Sequence, residues 1–426
     1  MTEPEQRIQA GAIADDMFRR EGAKLVAALT AHFGTHRLQL AEDVVQEALI
    51  RALQTWPYRG VPDNPAAWLM QAAKNLALDV LRREQSWQEK ENGVAAEHER
   101  WLATPATVQE VEGGFVDDTL RMMFVCFHPQ LSIEAQTALA LRTLCGLSPA
   151  EISAAFLTTE AAIAKRLVRA RQRIRELALP FAVPEPKELP SRLDGVLGTL
   201  YLLFNEGYKA SVGERLVRQE LCLEAIRLTQ LVAEHPATNQ PRTHALLALM
   251  LFNAARLPAR TDDAGNLLRL HEQDRSAWDA GLIQRGAHHL ALSGQGDSVS
   301  EYHLEAGIAA CHSTAADDTT TPWPRILSLY DQLVKLNASP IIALNRAVAV
   351  ARVQGPRAGV EALDSIASRN ALEGYYLYHA VRGTFAQQLG HNSEAMVHFR
   401  HAEALASLSS EKEFLQQRLR ACEAGP

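Results

Sequence analysis

Side chains able to carry out covalent chemistry are scattered through this chain, and their spacing argues against a catalytic centre. Asn205, Glu206 and Tyr208 sit near one turn, while Asp262 and Glu272 lie farther along. General acid–base work needs two titratable groups within reach of one substrate, and no spacing here places two of these carboxylates together. Asp262, Asp263 and Asn266 surround Gly265, but the spacing and closing glutamate of a calcium loop are missing. His288-His289 lacks the His-Glu-x-x-His order of a zinc helix and reads as helix surface or core. Cys126, Cys145, Cys222, Cys311 and Cys422 are odd in number and widely spaced, as expected of buried thiols in a reducing compartment. No metal and no cofactor is expected.

The chemistry that the spacing does favour is non-covalent. Between Ala161 and Glu176 six bases, Lys165, Arg166, Arg169, Arg171, Arg173 and Arg175, face a single acid. On one helix they would supply contacts to nucleic-acid phosphates and base edges. The preceding sequence explains how such a helix would be held. Ser148 and Glu151 form a capping box around Pro149, opening a short helix to Phe156. A turn at Leu157 follows, and Thr159 caps the basic helix with Glu160 in its first turn. Ile163 and Leu167 face inward. This is a helix-turn-helix pattern, with leucine where glycine would ease a positive φ.

A second pair of elements lies upstream. Ala41, Val44, Val45, Ala48, Leu49, Ala52 and Leu53 recur at helical spacing, with Asp43, Glu47 and Arg51 on the opposite face. Asn64 then caps a helix begun by Pro65, whose buried stripe is Leu69, Ala72, Ala73, Leu76, Ala77, Val80 and Leu81. Its other face carries Gln71, Lys74, Asn75, Asp79, Arg82 and Arg83, with Trp68 near the start. Before this pair, Ile8, Ile13, Met17, Leu25, Val26 and Leu29 are the expected core of one or two opening helices.

Three stretches of this upstream pair resemble region 2 of a bacterial sigma factor of the extracytoplasmic-function type: Glu42 to Ala48, Pro65 to Leu69, and Asn75 to Arg83. Leu139 to Arg142 and Lys165 to Arg171 resemble sigma region 4. The resemblance implies an all-α transcription initiation factor that performs no covalent chemistry, with RNA polymerase core and promoter DNA as partners. Asp43, Gln46, Glu47 and Arg51 would then dock on polymerase. Trp68, Lys74, Asn75, Asp79, Arg82 and Arg83 would hold the opened minus-10 strand. Thr159, Glu160, Lys165, Arg166, Arg169, Arg171 and Arg173 would read the minus-35 element.

The 426 residues allow two or three domains, and composition is that of an ordinary globular protein, with 47% apolar and 22% charged residues. A net charge of −7 is compatible with nucleic-acid binding because the charge is unevenly placed. Between Glu84 and Asp118 nine acids outnumber Lys90 and Arg100, which reads as an acidic linker. The expected division is region 2 at 1–84, the linker at 85–116, region 4 at 117–180, a proline-rich connector at 181–191 and a helical extension at 192–426. No apolar run reaches the roughly 18–20 residues of a membrane span and the polar start has no signal-peptide core, so no membrane contact and a cytoplasmic location are expected.

Within the extension, Leu193 to Tyr208, Leu216 to Val232 and Arg242 to Ala255 read as helices, and Ala259 to Leu270 as a small hairpin. Gly383, Gly390, Ala395, Phe399 and Ala402 fall at tetratricopeptide-like positions, echoed more weakly by Gly355, Val360 and Ala367; Gly355 and Gly390 are 35 residues apart. Such a stack has a concave face for a protein or peptide effector. The extension also resembles the tail of a subgroup of sigma factors with tetratricopeptide-like carboxy-terminal regions. Two other readings stay open on the residues alone: a hydrolase with its site in the extension, and a helical scaffold.

Overall fold

The computed structural model describes residues 21–85, 115–155, 158–209, 215–260, 262, 268–367, 369–406 and 409–423. Among these the regular structure is helical, with no strand. The chain divides into two compact units, the first running to Leu203 with residues 234–237, the second comprising the remainder.

The first unit begins with α1 (residues 21–33), whose Leu25, Val26 and Leu29 are buried as expected, while Ile8, Ile13 and Met17 lie outside the described residues. Helix α2 (Leu38–Arg59) buries Ala41, Val44, Val45, Ala48, Leu49 and Ala52 and packs on α3 (Pro65–Gln85), with Val45 and Leu49 beside Gly22 of α1. Leu53 is an exception at 45% exposed, because it sits at the margin of the stripe and turns outward with Ile50. Gly60, at φ 81°, ends α2 with its N–H on Trp56 O. Asn64 caps α3, its Oδ1 accepting from Ala67 N at 2.9 Å. Most of the acidic linker, residues 86–114, lies outside the described residues.

Helix α4 (Phe115–Cys126) leads to α5 (Ile133–Leu139), which continues as one π turn, Ala140–Leu144. The expected pair follows as α6 (Pro149–Ala155) and α7 (Glu160–Glu176). Both sides of the capping box form: Ser148 N donates to Glu151 Oε2 at 2.7 Å and Glu151 N to Ser148 Oγ at 3.2 Å. Thr159 Oγ1 accepts from Ala162 N. Leu157 lies outside the described residues.

Helix α8 (Leu189–Lys209) places the unit boundary differently from the proline-rich connector expected at 181–191. Leu193, Val196, Leu197 and Leu200 are fully buried. Arg192 donates to Phe124 O at 2.6 Å and Thr199 Oγ1 to Gln136 Oε1 at 3.0 Å, so the first half of α8 completes the core of the first unit.

In the second unit α9 (Arg215–Glu234) precedes α10 (Pro241–Ala254), buried at every position from Thr243 to Phe252. A helix apolar around its whole circumference belongs at the centre of a core, and α11 (Ala280–Ser293) and α12 (Glu301–Thr314) pack on it. Of the hairpin expected at 259–270, residues 261 and 263–267 lie outside the described residues; the described remainder contains no strand, and Leu268 N donates to Arg260 O at 2.8 Å.

Then come α13 (Trp323–Leu336), α14 (Pro340–Gln354), α15 (Pro356–Asp364), α16 (Tyr376–Gln388), α17 (Asn392–Leu405) and α18 (Ser409–Glu423), each packed mainly on its neighbours in sequence. The α14/α15 and α16/α17 hairpins turn at Gly355 (φ 93°) and Gly390 (φ 81°), where a side chain would be strained. Gly383 lets α16 approach the fully buried Phe399 of α17 so closely that a Cβ would stand 2.7 Å from its ring.

Candidate nucleic-acid interface

The acids of α2 form an outer rail. Asp43, Gln46, Glu47 and Arg51 are all exposed, and Glu47 pairs with Arg51 one turn on at 3.2 Å. Burial pushes the Asp43 carboxyl up from its ordinary value, against the pull of Arg171 and Arg142. Gln46 accepts a 2.7 Å hydrogen bond from Arg142 Nη2.

One turn inside the rail is Glu42, 4% exposed. Thr143 Oγ1 donates to its Oε1 at 2.6 Å, and Arg171 Nη2 lies 2.5 Å from its Oε2. A further tie runs from Thr35 Oγ1 to Leu179 O at 2.6 Å. Glu42, Arg142 and Thr143 were absent from the sequence-derived site. The available signal was the position of Glu42: with Ala41, Val45 and Leu49 it falls inside the apolar stripe, where a carboxylate needs a buried partner.

On α3, Trp68 is half-buried, its ring edge against Trp56 with centroids 5.6 Å apart. Asn75, Asp79, Arg82 and Arg83 are exposed along one side, and Asn75 accepts from Gln71 at 3.1 Å. Lys74 departs from the expected strand-binding set, being 0% exposed. Met70, Lys74, Ala77 and Leu81 stack at successive helical turns on the side packed inward, whereas the expected Ala72, Leu76 and Val80 are only half-buried, so the buried stripe is turned around the helix towards Lys74.

The basic helix α7 presents two sides around its core residues Ile163, Leu167, Ala170 and Ile174. Lys165, Arg166, Arg169 and Arg173 line an open groove that also takes in Glu134 and Ser132 at the start of α5. Thr159 and Glu160 are exposed at its N-terminus. Arg171, expected among the minus-35 contacts, lies instead on the other side, 14% exposed and paired with Glu42.

Of the residues considered for hydrolysis, Tyr208 and Glu272 are engaged in other contacts. Tyr208 stacks on Phe204, with the Arg260 guanidinium 3.9 Å from its ring centre. Glu272 holds Arg269. His289 lies against His244, their Nδ1 atoms 3.0 Å apart, and burial and His244 push it down to about 4. No group of three potential metal ligands occurs among the described residues, and no helix there is long and apolar enough to cross a membrane.

Comparison with known proteins finds family matches in both units. The family profile for Sigma-70 region 2 matches residues 17–87, and that for Sigma-70, region 4 matches 121–174. A family of unknown function (DUF6596) matches 192–294. An uncharacterized protein of Rhizobium meliloti (strain 1021) is 38% identical over 402 residues, covering 92% of each chain. No solved structure matches.

Proposed function

We propose how this chain works from the family the matches establish: it belongs to the sigma-70 family, as an alternative sigma factor of the extracytoplasmic-function type with a helical carboxy-terminal extension. Such a protein directs RNA polymerase to particular promoters and promotes DNA opening. Its partners are the polymerase core and promoter DNA, and binding rather than covalent chemistry does the work.

In our reading, Asp43, Gln46, Glu47 and Arg51 dock on the polymerase core. Trp68, Asn75, Asp79, Arg82 and Arg83 hold the melted minus-10 strand, while Thr159, Glu160, Lys165, Arg166, Arg169 and Arg173 contact the minus-35 duplex. The observation that carries this is the common exposure of Lys165, Arg169 and Arg173 on one side of α7, in the region 4 match. The protein works in the cytoplasm, where polymerase and promoters are. The extension is a regulatory domain that takes a protein or peptide effector, a reading supported by its paired helices. Mixing the protein with core polymerase on promoter templates tests the whole assignment; absence of promoter-dependent transcription on every template of a genomic promoter library would reject it.

A further inference from the structure

The helices of the second unit enclose an open groove whose floor is apolar and whose walls are cationic. Val348 and Ala351 of α14, with Val381 and Phe385 of α16, form part of the floor. Arg352 of α14, Arg418 of α18 and Arg269 of the connection after Leu268 converge on it. Asp318 is the acid among the lining residues, and it pairs with Arg352 at 3.0 Å.

The arginines are held in place but incompletely satisfied. The Arg269 guanidinium lies over the Phe414 ring, 4.4 Å from its centre, and pairs with Glu272. Arg418 lies 5.7 Å from the centre of the Phe399 ring, and has no ion-pair partner among the described residues. The Nε–H groups of Arg269 and Arg418 are shielded from solvent without a hydrogen-bond partner among the described residues. Desolvation and the neighbouring Arg269 charge both push Arg418 down. A cation so placed gains from an incoming anion, because a charge-assisted hydrogen bond in a partly desolvated site is stronger than one in water.

We propose that this groove is a binding site for an acidic peptide segment, with carboxylates on Arg418 and Arg352 and an apolar side chain on the floor between α14 and α16. The proposal rests on the reading of the extension as an effector-binding domain and names the chemistry of its effector. Charge and shape select this occupant: Arg418, which has no carboxylate partner among the described residues, calls for an anion beside the already paired Arg269 and Arg352, and the apolar floor favours a peptide bearing side chains over a sugar-phosphate backbone. The groove is open to solvent, as suits a peptide segment lying on the surface, whereas small-molecule sites enclose most of their ligand.

The test uses the full chain on an array of random octapeptides. Binding is expected to rise with the number of aspartates and glutamates, and to rise further when they flank leucine or phenylalanine. Arg418→Ala and Arg352→Ala should each cut binding to the acidic peptides roughly tenfold or more, as loss of a charged hydrogen bond does. Arg418→Lys should keep part of it. Thermal unfolding checks that each variant is folded; a variant that fails this check is replaced by Leu377→Glu, which places a like charge in the groove and should also repel the acidic peptides. An array without preference for acids overturns the proposal, as does a preference that survives in all folded variants. Competition by glutarate or inorganic phosphate at the peptide's own concentration would also overturn it, as would duplex DNA bound with the same arginine dependence. The array contains no polymerase, so it judges the groove alone. Peptides that bind as expected yet leave promoter output unchanged would uphold the site and reject the regulatory role.

Discussion

Glu42 of α2 and Arg171 of α7 form an ion pair at 2.5 Å with side chains only 4% and 14% exposed. The alignment at Glu42 Oε2 is not that of a hydrogen bond, so attraction between charges holds it, while Thr143 satisfies Oε1 directly. Removing one partner leaves the other charge in a poorly solvated place. Glu42→Gln and Arg171→Met should each destabilise the protein by up to about 3–5 kcal/mol. The double variant should lose much less than the sum, a coupling read from urea unfolding of all four proteins.

The exposed rail should behave oppositely. Glu47→Lys breaks an exposed pair with Arg51 whose contribution is at most about 0.5 kcal/mol. Thermal stability should therefore barely move, while affinity for core polymerase falls. Unchanged affinity in a direct binding assay would remove Glu47 from the docking surface.

The two sides of α7 provide a matched contrast. Lys165→Ala with Arg169→Ala should weaken minus-35 duplex binding and reduce its salt slope by up to about 2, since two fewer counterions are released. Stability should stay near that of the parent. Arg171→Met should show the reverse, lost stability with an unchanged salt slope. Binding measured from low to high salt separates these outcomes.

What the sequence revealed followed from local rules. The Ser148–Glu151 box and the Asn64 and Thr159 caps depend on neighbours a few residues away, and all are present. The misjudged residues depended on distant ones. Lys74 is buried because the packed side of α3 is turned towards it, Arg171 because a carboxylate 129 residues earlier in the chain faces it.

Acid should destabilise the protein in a defined window. Burial pushes His312 down to about 4, with Arg256 and Arg275 adding to the effect. Its folded value thus lies below the ordinary 6.5, and the unfolded chain binds the proton first. Stability is full above about 6.5 and falls as pH drops towards about 4. His289, pushed down to about 4 beside His244, contributes in the same direction. His312→Gln should flatten the fall in melting temperature across this window.

The place at which the chain is cut should decide what a truncation reports. A cut after Pro190 removes Leu193, Val196, Leu197 and Leu200, all fully buried, together with the Arg192 and Thr199 hydrogen bonds to Phe124 and Gln136. Each buried aliphatic side chain contributes roughly 1.5–3 kcal/mol, so the remaining chain should lose several kcal/mol. Its failure in transcription would then say nothing about regulation. A cut after Lys209 keeps these contacts, and its product should melt cooperatively. Only for that product does promoter output with core polymerase measure the extension: lower output means that the extension supports a productive arrangement, higher output that it restrains one. Output equal to that of the full chain, at equal polymerase affinity, would reject a regulatory role for the extension.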